Sequence, residues 1–63
     1  LAGPLVELAP GVGGITQKGG TAILSGILNT QAEGVIAAYE AAGFALKDHL
    51  KRKDWTTLVL EKV

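Results

Sequence analysis

The sequence predicts an α/β fold in the order helix, parallel strand, helix and closing antiparallel hairpin, on three observations. Thr21 to Ser25 (TAILS) runs apolar without alternation between glycine-rich flanks. Ala32, Val35, Ile36 and Tyr39 recur at the i, i+3, i+4, i+7 spacing of one helix face. Phe44 to Leu50 alternates and Trp55 to Val63 is rich in β-formers, with polar Lys51 to Asp54 between them.

The first helix is expected over Leu1 to Pro10, starting near Gly3-Pro4, because proline is at ease in a first turn where its missing N–H has no partner. Leu5, Leu8 and Ala9 form its apolar stripe and Glu7 faces outward. Pro10-Gly11 is expected to weaken or end it, with a distorted continuation through Val12 as the alternative, and the glycines from Gly11 to Gly20 point to a loop with at most one helical turn. The apolar run at Ala22, Ile23 and Leu24 then reads as a strand covered on both faces, as in a parallel sheet. Gly26 permits a sharp turn or a close backbone approach. Thr30 to Glu33 matches a capping box, Gly43 is a left-handed stop for the second helix, and Gly34 suggests a close approach of another backbone. In the hairpin, strict alternation puts Phe44, Leu46, Asp48 and Leu50 on one side and turns His49 to solvent.

At 63 residues the chain is one domain at most, and a chain of that size buries only about 60% of its unfolded surface. A three-strand sheet with a strand buried on both faces lacks one layer of cover. The chain also opens Leu-Ala-Gly-Pro and contains no Met, so a piece of a longer protein is expected. With no Cys and a single His, neither a disulfide nor a dedicated metal site is expected. A formal charge of zero and no apolar run near the roughly 20 residues that span a bilayer argue against nucleic acid or membrane as partner.

The glycine clusters do not make a phosphate site. No run ends Gly-Lys-Ser/Thr at the phosphate-loop spacing, and Gly11 to Gly14 follows a helix rather than a strand. Lys51, Arg52 and Lys53 are flanked by Asp48 and Asp54 and read as a solvated hairpin tip rather than a nucleic-acid patch. His49 lacks partners at catalytic spacing, and Ser25 lacks the G-x-S-x-G context of a nucleophile. Tyr39 and Trp55 read as core or core-edge anchors.

Leu1 to Pro10 (LAGPLVELAP) and Leu24 to Leu28 (LSGIL) followed by Gln31 resemble the C-terminal part of the ribosomal protein L11 methyltransferase family. Ala32-Glu33, Val35, Tyr39, Gly43-Phe44 and Trp55 extend the likeness over essentially the whole chain. Gln17 to Gly20 departs from it, lacking the proline that relatives carry before the strand. The resemblance implies the C-terminal half of a Rossmann-like seven-stranded methyltransferase fold, with its last strand inserted antiparallel between the two before it. It further implies a cytoplasmic enzyme that moves methyl groups from S-adenosylmethionine to N-terminal and lysine amines of a ribosomal protein. The cofactor residues would lie upstream of this chain, so the isolated piece is expected to be inactive and to pack against the remainder of the same domain. Residues 1–63 would then be a fragment of the catalytic domain.

In open α/β sheets ligands bind beyond the carboxyl ends of parallel strands. Leu1, Gly3, Pro4, Ser25, Gly26, Ile27 and Leu28 are therefore the candidate substrate-pocket residues, with Gly26 to Leu28 on the acceptor side. No catalytic or metal-ligating residue is expected. Two other readings use the same residues: a non-catalytic module assembling through its open sheet edge, and a small RNA-binding domain using Lys51 to Lys53. The enzyme reading takes its physical footing from Ile23 and Leu24 lying in a layer covered on both sides.

Overall fold

The computed structural model describes residues 2–63. Helix α1 spans Ala2–Ile15 and strand β1 Thr21–Leu28; a single 3-10 turn, Asn29–Gln31, leads into helix α2, Ala32–Ala41. Strands β2, Phe44–Arg52, and β3, Trp55–Lys62, close the chain as the expected hairpin. The sheet order is β1-β3-β2, and β3 runs antiparallel to both neighbours. Strands β1 and β2 therefore point the same way without touching. This is an α/β unit of two helices and three strands, and the insertion of β3 agrees with what the resemblance implies.

The core lies on one face of the sheet. Thr56, Leu58 and Leu60 of β3 are buried, and their cross-strand partners Ile27, Leu24 and Ala22 of β1 share that face. Ala9 of α1 and Ala32, Val35 and Tyr39 of α2 close over them, with Phe44 of β2. The Tyr39 and Phe44 rings meet at 5.6 Å between centroids and 57° between planes, a tilted contact that aromatic quadrupoles favour. The helix face expected from Ala32, Val35, Ile36 and Tyr39 is the one that packs.

Two-sided cover for β1 does not occur within this chain. Its residues alternate, and Ile23, on the face away from the helices, is 68% exposed. The run looks continuous because a β-bulge resets its phase. Leu24 pairs with Leu58 and Ile27 with Thr56, so Ser25 and Gly26 together oppose Thr57 alone. Gly26 sits at φ 73, which a side chain would resist. The strand therefore does not stop at Ser25; the bulge lets it run on to Leu28 and turns Ile27 inward.

The same device corrects the expected pattern of β2. Leu46 pairs with Leu60 and Asp48 with Val59, leaving Lys47 as an extra residue. Beyond it the faces exchange: Asp48 and Leu50 lie opposite to Phe44 and Leu46, and His49 turns to the helix side across from buried Leu58.

Helix α1 passes through Pro10 and the following glycines instead of ending there. An interior proline costs about 3 kcal/mol, and tertiary contacts offset it. Leu5, Ala9, Val12 and Gly13 form the stripe that packs, while Leu8, expected in it, is exposed. Thr16 closes the last turn, its Oγ1 donating to the Val12 carbonyl at 2.6 Å. The Lys62 ammonium donates to the carbonyls of Gly13 at 2.8 Å and Thr16 at 3.3 Å, a cation at a helix C-terminus where the dipole favours it. The loop is thus confined to residues 16–20, tied to β3 by Gly19 N–H donating to the Lys62 carbonyl and Lys62 N–H to that of Gly20.

Three smaller expectations change as well. Thr30 makes no cap for α2; the 3-10 turn makes Gln31 the N-cap residue, and its Oε1 accepts from Leu28 N–H at 3.4 Å. Gly34 faces open space, and the close approach occurs at Gly13, against the Ala42 carbonyl of the α2 C-terminal end. Trp55, expected in the core or at its edge, is 53% exposed on the helix-free face. Gly43, at φ 98, does end α2 as expected.

A Cβ at Gly13 would stand 2.4 Å from the Ala42 carbonyl oxygen. Gly13→Ala is expected to destabilise the protein by about 1–3 kcal/mol through overpacking, whereas Gly34→Ala should stabilise it by about 0.5–1 kcal/mol; chemical denaturation reads both. Burial raises the Tyr39 phenol above its ordinary value. The fold holds the neutral form, so this contribution is complete below about pH 10, the unfolded value, and fades as pH climbs through the folded one. Tyr39→Phe should therefore flatten the loss of stability above about pH 10, and parallel alkaline curves for the two proteins would contradict it.

Candidate functional site

The candidate residues gather at one end of the fold, except Leu1, which lies outside the described residues. Gly13 against Ala42 brings the C-terminal ends of the two helices together. Lys62, opposite the start of β2 and bonded to Gly20, marks the same end of the sheet. Both helices therefore begin at the opposite end, where β1 finishes. Gly3 and Pro4 lie there, exposed in the first turn of α1, and so does the tip of β1.

Within that tip the residues divide. Ser25 and Gly26 are exposed in the bulge, and Leu28 is 37% exposed on the helix-free face. Ile27 is fully buried in the core and holds the segment from beneath. Ser25 thus presents its hydroxyl to solvent with no basic partner beside it in the sequence.

Sequence reasoning did not single out Asn29, which ties this tip down. Its backbone N–H donates to the Asp54 carbonyl at 2.9 Å and its Nδ2 to the Lys53 carbonyl at 2.7 Å. Its Oδ1 accepts from the buried Thr56 hydroxyl. One side chain therefore clamps the end of β1 to the turn of the β2–β3 hairpin. An Asn just after an apolar strand is a weak signal, because its partners are 24 and 27 residues away.

The clamp sets Lys51, Arg52 and Lys53 beside the β1 tip, all exposed, with Lys53 in the left-handed region at φ 54. The one ion pair among the described residues joins Lys47 to Glu61 at 3.3 Å, so these three cations have no carboxylate partner there. Across the helix-free face, Leu28 pairs with Trp55 and Trp55 with Arg52, a row of leucine, tryptophan and arginine along the rim. Ile23, Val59 and Leu50 continue an apolar surface inward on that face.

His49 is not at this end. Its Nε2 is buried without a hydrogen-bond partner, on the helix side across from Leu58. Among the described residues no group of His, Cys, Asp and Glu is arranged to hold a metal ion, no helix is long and apolar enough to cross a membrane, and no cavity is enclosed.

The family model described as Ribosomal protein L11 methyltransferase (PrmA) matches residues 1–63. The chain is similar to the ribosomal protein L11 methyltransferase of Brucella suis (strain ATCC 23445 / NCTC 10510), 43% identical over 61 residues, covering 97% of this chain and 21% of the relative. That of Caulobacter sp. (strain K31) is 44% identical over 62 residues, covering 98% and 22%. The chain thus spans about a fifth of the length of these relatives. The exposed Ile23 removes the two-sided burial on which the enzyme reading first stood, and a match along all of residues 1–63 takes its place. On that match, the chain belongs to the ribosomal protein L11 methyltransferase family.

Proposed function

We propose that this chain is the C-terminal part of a catalytic domain, a cytoplasmic S-adenosylmethionine-dependent methyltransferase acting on N-terminal and lysine amines of a ribosomal protein. The observation that carries this reading is the family match along all of residues 1–63. The strand order supports a Rossmann-like seven-stranded sheet as the larger body, with β3 as the reversed strand between two that point the same way. The helix-free face supports the same reading: Ile23, Leu50 and Val59 are the surface that the remainder of the domain would cover.

The described residues do not fit S-adenosylmethionine. They enclose no cavity, and Gly11, Gly13 and Gly14 are spent inside helix α1 rather than in a loop that cradles a ligand. On this proposal the methyl donor would be held by residues outside this chain, and the piece alone would be inactive.

What this chain offers is the acceptor side. An amine attacks only through its lone pair, so the ammonium must first lose a proton. Desolvation favours that loss, since a low-dielectric surface penalises the charged form. Leu28, with Ser25 and Gly26 in the bulge and Ile27 beneath, presents a small apolar step at the end of β1 that would favour the neutral amine and exclude water. Gly3 and Pro4 would face it from the start of α1, and Leu1 remains a candidate on the sequence alone.

In the full-length enzyme, Leu28→Asp is expected to lower kcat/KM for the ribosomal protein about tenfold at neutral pH. It should also move the pH profile to the alkaline side by about one unit, because a carboxylate nearby holds the ammonium charged. Leu28 is partly exposed, so folding should survive. Unchanged turnover in a folded variant would remove the β1 tip from the acceptor side.

A further inference from the structure

The hairpin tip has more structure than a solvated turn requires. Lys51, Arg52 and Lys53 project at the end of the sheet where β1 finishes, unpaired with any carboxylate among the described residues. They are also held in place: Asn29 bonds to the carbonyl of Lys53 and, through its backbone, to that of Asp54. A charged surface already fixed loses less conformational freedom when a partner arrives. Trp55, exposed, lies between Leu28 and Arg52 in the cross-strand row. Tryptophan and arginine are the residue types that carry the most binding energy at protein interfaces.

We propose that Lys51, Arg52 and Lys53, with Trp55, form a docking surface for an acidic segment of the protein whose amine is methylated. This rests on the reading of the β1 tip as the acceptor side. The tip stands next to Leu28, so a substrate gripped there has its reactive amine delivered close to Ser25 and Gly26. Discrete carboxylates suit the patch better than a phosphate backbone does. Asp54 in the turn and Asp48 further along β2 interrupt the positive field, leaving three cations against two acids, and the exposed indole supplies an apolar contact. Asp48 itself is occupied by the His49 N–H at 2.8 Å.

The test uses the full-length enzyme with two acceptors: ribosomal protein L11, and a short lysine peptide free of Asp and Glu. In the variant carrying Lys51→Glu, Arg52→Glu and Lys53→Glu, KM for the protein should rise about tenfold or more while kcat stays within about twofold. The same changes to Gln should give an intermediate rise, and Trp55→Ala a rise of several fold. Turnover of the peptide should not change, and the wild-type KM for the protein should itself rise with ionic strength as exposed charges are screened. Asn29→Ala should raise the protein KM without altering S-adenosylmethionine affinity. An unchanged protein KM in the Glu variant overturns the proposal, as does equal loss on both acceptors or wild-type binding of an RNA oligonucleotide that the protein acceptor cannot displace. Failure of the acceptor-side reading looks different: Leu28→Asp would then leave turnover of both acceptors intact, whatever the tip variants do.

Discussion

The structure depends on the antiparallel insertion of β3 between two strands that point the same way. Its inward residues Thr56, Leu58 and Leu60 are buried and pair across to both neighbours. Burying a leucine side chain stabilises by roughly 1.5–3 kcal/mol, and these two touch every layer of the core. The central strand also sets the ends of the molecule. Lys62 at its finish gathers the C-terminal end of α1, the 16–20 loop and the start of β2. Trp55 and Thr56 at its start face Leu28, Arg52 and Asn29. Lys62 ties the helix ends and loop together at one end, and the Asn29 clamp holds the exposed, chemically varied residues at the other.

Two bulges adapt the edge strands to that centre. Ser25-Gly26 and Lys47 each add a residue that the partner strand does not match. In β1, Ile27 goes into the core, and Ser25, Gly26 and Leu28 are left at the surface. In β2 the consequence is that the His49 Nε2 is turned into the helix side and Leu50 is released to solvent. Bulges on edge strands re-aim side chains, and in β1 the re-aimed set is the proposed acceptor segment.

Helices cover one face of the sheet only, while Ile23 and Leu50 stay exposed on the other. Two layers suffice for a small core, but an apolar sheet face open to water is a surface awaiting cover. Under the proposed function, the remainder of the domain would supply that cover. The family assignment and the open face thus agree, though neither derives from the other.

Element order, the packed face of α2, the Gly43 stop, the buried Tyr39 and the closing hairpin were all legible in the sequence. Each follows from local periodicity or from a conformation that only glycine takes easily. The family was legible too, in LAGPLVELAP and LSGIL. The full run of α1 through Pro10 to Ile15 was not, because local propensity opposes it and the contacts that compensate, among them Ala42 and Lys62, are distant in sequence. Nor were the bulges, since an inserted residue is visible only against its partner strand, and an apolar run across a bulge looks like a strand buried on both faces. The Asn29 clamp lay hidden for the same reason. By itself the chain determined which segments become helix or strand, a matter of neighbours in sequence. Which side each residue faces, and which residues meet at the end of β1, was decided by register against β3, a relation between segments some 30 residues apart.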